Sequence, residues 1–224
     1  MSEPSKRYSP ADDPDENTWV EWAKVLITSV LLAIGIRHFL AEARFIPTES
    51  MVPTLQVDDR LIIEKVSYYF GSPERGDIIV FHPPETLRQQ QPNFKDALIK
   101  RVVGLPGETV YVSGGQVFVD GEPIAESYIE EPPGYEWGPE QVPENSYFVL
   151  GDNRNRSNDS HAWGYVHEEN IIGRAAVRFW PINRIGTIDP SPIYPDQSAI
   201  GDRPLRSAVP LDQVVNHPFH TATP

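Results

Sequence analysis

Thr109-Val110-Tyr111-Val112-Ser113-Gly114-Gly115-Gln116-Val117-Phe118-Val119 is the stretch whose reading decides the fold class. Two runs of β-branched and aromatic residues flank Ser113-Gly114-Gly115, and such a glycine-containing spacer is a hairpin signal. Asp120-Gly121 supplies the next turn. The same rhythm continues outward in both directions. Upstream, Arg60-Leu61-Ile62-Ile63-Glu64-Lys65-Val66 is followed by a turn at Gly71-Ser72-Pro73 and a buried-looking run, Asp77-Ile78-Ile79-Val80-Phe81. Downstream, Ser146-Tyr147-Phe148-Val149-Leu150 and Ala175-Ala176-Val177-Arg178-Phe179-Trp180 read as further strands. Helical periodicity is not sustained anywhere between them, so residues 41–187 are expected to form a mainly β domain of antiparallel sheets. Gln89-Gln90-Gln91-Pro92-Asn93 reads as a surface loop, and no internal repeat is present.

Flanking regions differ sharply from this domain. Residues 1–17 are polar and rich in Asp, Glu and Pro, and residues 188–224 hold seven prolines with few clustered apolar positions. Both compositions predict disordered tails. Between the first tail and the domain, Thr18-Trp19-Val20-Glu21 reads as a capping box opening a helix over residues 18–40. Its uncharged run from Val25 to Ile36 is too short for a hydrocarbon slab of about 30 Å. Extension to Trp19 and Phe39 makes it long enough, with Trp19 and Trp22 as an interfacial belt and Lys24, Arg37 and His38 able to snorkel. A buried core helix and a cleavable signal sequence are the other readings, the latter because Ala41-Glu42-Ala43 resembles a small-x-small cleavage site. The 224-residue chain carries 19 basic and 32 acidic residues, a net charge of −13 that excludes a nucleic-acid partner. With no cysteine, it has neither a disulfide framework nor a thiolate metal site.

Ser50, in Phe45-Ile46-Pro47-Thr48-Glu49-Ser50-Met51-Val52-Pro53-Thr54-Leu55, follows the hydrophobic segment closely. A serine hydroxyl becomes a nucleophile only when a base takes its proton. The six histidines lack the surroundings of a triad. A lysine can replace histidine if burial lowers its pKa, because desolvation disfavours the ammonium form. In an extended Leu98-Ile99-Lys100-Arg101-Val102-Val103, Lys100 shares a face with Leu98 and Val102 while Arg101 points away. A strand lysine is by default a solvated residue, so the pattern alone leaves both readings open.

Four boxes occur in order: Thr48 to Leu55; Asp59 to Lys65; Lys100-Arg101-Val102-Val103-Gly104-Leu105-Pro106-Gly107-Glu108; and Gly151-Asp152-Asn153-Arg154-Asn155-Arg156-Ser157-Asn158-Asp159-Ser160. Together they resemble bacterial type I signal peptidases and their mitochondrial and plastid relatives, membrane-bound serine–lysine proteases. The resemblance implies a compact signal-peptidase-type β domain behind one transmembrane helix, without the large extra β domain of some members. It implies removal of signal peptides from exported preproteins after Ala-x-Ala sites, and no cofactor. Ser50 would be the nucleophile, Lys100 the general base, Thr48 an oxyanion-hole donor and Ser157 the hydroxyl that orients the lysine amine. Ile46, Met51, Leu55 and Ile99 would line shallow pockets for small side chains. Asp152, Asn153, Arg154 and Asp159 would build the turn presenting Ser157, with His161 standing where the family carries an arginine partner for Asp159.

Partners implied are signal peptides, the lipid bilayer and, transiently, the export machinery. The place implied is a plasma or thylakoid-type membrane, single-pass, with the N-terminus cytoplasmic and the catalytic domain on the export side. A self-cleaving serine–lysine protein would carry a DNA-binding domain in place of the apolar helix, which the acidic charge opposes. The eukaryotic and archaeal branch replaces the lysine with histidine, which Lys100 opposes. A catalytically inactive tethered β module is the non-enzymatic alternative.

Overall fold

A computed structural model describes residues 15–188. The expected tails, residues 1–17 and 188–224, lie outside it except at their inner ends. Contacts divide the chain into two units, Met1–Glu42 and Ala43–Pro224. In the first, α1 (Asp15–Gly35) continues as a π-helical turn, Ile36–Leu40. The helix starts upstream of the predicted capping box, so Thr18 is a helical residue and not a cap. The span Thr18–Leu40 is long and apolar enough to cross a membrane.

The second unit is built from two antiparallel sheets. The strands in chain order are β1 (Ala41–Phe45), β2 (Arg60–Glu64), β3 (Ile78–Phe81), β4 (Leu98–Gly104), β5 (Thr109–Ser113), β6 (Gln116–Val119), β7 (Glu122–Pro123), β8 (Trp137–Gln141), β9 (Ser146–Leu150), β10 (Val166–His167), β11 (Ile171–Trp180) and β12 (Gly186–Thr187). The larger sheet has the order β1-β2-β11-β3-β4-β9-β10, with β12 beside β11. The smaller has the order β7-β6-β5-β8. At its centre lies the hairpin expected from the sequence, with Val110 opposite Val119 and Val112 opposite Val117. Gly114 and Gly115 take φ of 58° and 79°, the left-handed pair that a two-residue turn between twisted strands requires.

Burial follows strand alternation in the hairpin, where Val110, Val112, Val117 and Val119 face inward against Phe148 and Leu150. β1 and β8 had no strand signal in the sequence. Three short helices lie between the strands: α2 (Ser67–Phe70), α3 (Glu85–Gln90) and α4 (Ser160–Trp163). Gln89 and Gln90, read as loop, end α3, which is pinned by buried Leu87.

Candidate active site

β4 crosses the larger sheet between β3 and β9, with Lys100 opposite Ile79 and Arg101 opposite Leu150. Hydrogen bonds on both edges hold its register. Lys100 is 3% exposed, and its amine lies 2.9 Å from Ser50 Oγ and donates to the Ile99 carbonyl at 2.8 Å. Burial lowers the Lys100 pKa from 10.5 to about 8, against the opposing pull of Asp159 and Asp152. A useful fraction is therefore neutral near pH 8. In that form the amine, which otherwise donates to Ser50 Oγ, can accept the hydroxyl proton across the same 2.9 Å contact.

Ser50 sits on a tight turn closed by Val52 N–H to the Glu49 carbonyl (3.1 Å) and Leu55 N–H to the Met51 carbonyl (2.9 Å). Expected as pocket walls, Ile46, Met51 and Leu55 instead lie in the core with Leu61, Ile63 and Ile78, none more than 2% exposed. They secure the turn from beneath, where apolar burial is worth about 2 kcal/mol per side chain. Ile99, half-buried against the same cluster, keeps an exposed edge. Asp59 ties the far end of the turn: it accepts from Gln56 N–H at 2.9 Å and is gripped by the Arg184 guanidinium. Thr48 is exposed, its hydroxyl 3.4 Å from Ser50 Oγ.

The loop from Gly151 to His161 closes the site from the other side. Asn153 N–H donates to the Ser50 carbonyl at 3.1 Å, and its side-chain amide to the Glu49 carbonyl at 3.2 Å. Gly151 N–H donates to Asp159 Oδ2 at 2.9 Å. Asp159 caps α4, and His161 Nδ1 lies 2.6 Å from its other oxygen. Ser157 Oγ is buried without a hydrogen-bond partner among the described residues. The acceptor that shares the lysine amine with Ser50 is the Ile99 carbonyl, not Ser157.

Arg101, expected to point away from Lys100, does not reach solvent on its own face: it is 1% exposed and forms a two-pronged pair with Asp152, at 2.8 and 2.7 Å. Thr54 donates to the same carboxylate at 2.5 Å. The reason is that β4 is an interior strand covered on both faces, so both alternating sets of side chains are enclosed. Arg154 is equally enclosed, donating to the Gly151 carbonyl at 3.0 Å and to both Glu126 oxygens. Glu126 and its neighbour Tyr128 carried no signal in the sequence. Among the described residues no group of three or more His, Asp or Glu could hold a metal ion.

Antiparallel sheets that bring a serine hydroxyl under a buried amine define the class, a β-domain serine protease. The chain belongs to the family described as Signal peptidase, peptidase S26, whose model matches residues 19–180. It is 59% identical to Signal peptidase I of Leptolyngbya laminosa over 193 residues, covering 86% of this chain and 93% of that protein. It is 57% identical to Probable signal peptidase I-2 of Synechocystis sp. over 177 residues, 79% of this chain and 80% of the relative. To Probable thylakoidal processing peptidase 2, chloroplastic, of Arabidopsis thaliana it is 45% identical over 172 residues, 77% of this chain and 47% of that one.

Proposed function

We propose that the chain removes signal peptides from exported preproteins after small-x-small sites, with Ser50 as nucleophile and Lys100 as general base. The observation that carries this reading is the 2.9 Å contact between Ser50 Oγ and an amine that burial has made titratable near pH 8. Neutral Lys100 takes the hydroxyl proton as Ser50 Oγ bonds to the scissile carbonyl carbon. The carbonyl oxygen gathers negative charge beside the Ser50 N–H and the Thr48 hydroxyl, donors placed where charge develops. Lys100 then gives its proton to the leaving amine, the C–N bond breaks, and a Ser50 ester remains. Water, deprotonated by the same amine, hydrolyses the ester.

The half-buried edge of Ile99 is the surface we assign to a small substrate side chain; Ile46, Met51 and Leu55 support the floor behind it. Asp152, Asn153, Arg154 and Asp159 hold the loop. Ser157, whose buried hydroxyl has no other partner among the described residues, is the residue we assign to orienting the lysine amine. Residues 18–40 form the anchor and 41–187 the catalytic domain, with the N-terminus cytoplasmic and the domain on the export side of a plasma or thylakoid-type membrane. The apolar span Thr18–Leu40 supports the anchor, and likeness to a thylakoidal peptidase supports that choice of membranes. Brief association with the export machinery would follow from that location.

The test is to incubate a preprotein with full-length enzyme in detergent and map the cut by mass spectrometry, with Ser50→Ala, Lys100→Ala and the double variant alongside. Each single variant is expected at background and the double no lower, because the two side chains act as one unit. Substantial turnover by either single variant removes the assignment.

A further inference from the structure

The segment between β7 and β8 leaves the smaller sheet and runs along the loop that closes the active site. Asn155 donates to the Pro132 carbonyl at 3.1 Å and accepts from Gly134 N–H at 2.7 Å. The Tyr135 ring stacks on His161 at 4.2 Å between centroids. Earlier in the same segment, the Tyr128 ring lies 4.1 Å from the Arg101 guanidinium carbon and 5.8 Å from that of Arg154. Its hydroxyl donates to Glu126 at 2.7 Å, on the carboxylate that grips Arg154.

We propose that Tyr128, supported by Glu126, is a positioning residue for the Ser50–Lys100 pair, its ring fixing the two buried guanidiniums that stand behind the dyad. This rests on the dyad reading above. Two enclosed cations repel each other, and each needs an anion of its own: Asp152 for Arg101 and Glu126 for Arg154. A π face between them supplies attraction to both and excludes water. Arg101 is the residue after Lys100, and Arg154 holds the Gly151 carbonyl in the loop whose Asn153 grips the Ser50 carbonyl. The charged groups acting on Lys100 are Asp152 and Asp159; those around Tyr128 are Arg101, Arg154 and Glu126. Loss of the ring lets Arg101 slacken from Asp152, leaving more of that carboxylate's charge to act on the lysine. That change favours the ammonium form, so it pushes the working pH upward.

The experiment is the pH dependence of kcat and KM on a preprotein, using full-length enzyme in detergent and Tyr128→Met and Tyr128→Phe variants checked by thermal melts. Tyr128→Met, similar in volume but without the π face, should lose about tenfold in kcat at neutral pH with KM within about twofold. Its ascending limb should move up by about half a pH unit or more. Tyr128→Phe, keeping the ring, should restore both. A limb and kcat left in place in Tyr128→Met would make Tyr128 a packing residue only, and a Phe variant as impaired as Met would assign the effect to the hydroxyl; either overturns the proposal. If Tyr128→Met does not fold, Glu126→Gln decides: a kcat loss of about fivefold at constant KM is expected, and wild-type kinetics overturn the proposal. A wild-type enzyme lacking the limb itself would instead fail the dyad reading.

Discussion

Gly151 lies flush against Ser157. A Cβ built on Gly151 would stand 2.5 Å from Ser157 Cβ and would also strike Ser157 Oγ and the Ser50 carbonyl. Close approach of the catalytic loop to the nucleophile turn therefore depends on the missing side chain. Gly151→Ala should force the two segments apart by a fraction of an ångström, and a displacement of that order at reacting groups costs about 10²-fold. Comparing kcat/KM with a thermal melt separates this from instability: overpacking alone should cost about 1–3 kcal/mol. Activity near wild type would show that the loop can yield without disturbing Ser50.

For the reaction itself, kcat/KM should rise with pH along a limb centred on about 8, the value to which burial brings the Lys100 amine, and level off above it. Lys100→Arg should be inactive at every pH, since a guanidinium does not deprotonate in proteins. A flat profile through this range, measured with one preprotein, would exclude a neutral lysine base.

The same group links stability to pH. Folded Lys100 titrates at about 8 and its unfolded counterpart at 10.5, so below pH 8 both states hold the proton and the native state carries the whole cost of burying it. Between the two values the unfolded chain binds more protons, and stability rises with pH. Lys100→Met should therefore stabilise the domain below pH 8 by on the order of 3 kcal/mol, a gain that shrinks as pH approaches the unfolded value. Denaturant melts of both proteins at neutral and alkaline pH measure it. An equal difference at both pH values would mean that packing alone separates them.

Thr48→Val removes a hydroxyl at nearly constant shape. A donor used mainly in the transition state should lower kcat by about 10²–10³ with little change in KM, and Thr48→Ser should largely restore it. A rise in KM with kcat intact would place Thr48 in a substrate pocket.

The hairpin around Gly114-Gly115 and the extended run bearing Lys100 were legible because each is encoded by neighbours within a few residues. The enclosure of Arg101 was not legible for a definite reason: alternation says which side chains share a face, but not whether the second face meets water, and that depends on how many layers cover β4. α3 escaped notice because Glu85–Gln90 is shorter than two helical turns and carries too little periodicity to register. Glu126 and Tyr128 lay beyond reach altogether. Arg154 is 28 residues from Glu126 in the chain, and no local pattern marks which surface carboxylate will be enclosed by folding. Ile46, Met51 and Leu55 illustrate a further limit, since an apolar residue beside a nucleophile has the same signature whether it meets a ligand or anchors the turn.

With Lys100 as the general base proposed above, covalent inhibitors of this enzyme should be governed by proton stoichiometry as much as by fit. An aldehyde or boronate that bonds to Ser50 Oγ leaves an anionic oxygen balanced by a lysine ammonium. Above about pH 8 the serine's own proton supplies that ammonium, and the adduct forms with no exchange with solvent. Below it the lysine already holds a proton, the serine's must be released to buffer, and affinity should weaken by about tenfold for each further unit of acidity. Calorimetric titrations in buffers of different ionisation enthalpy would register that released proton directly.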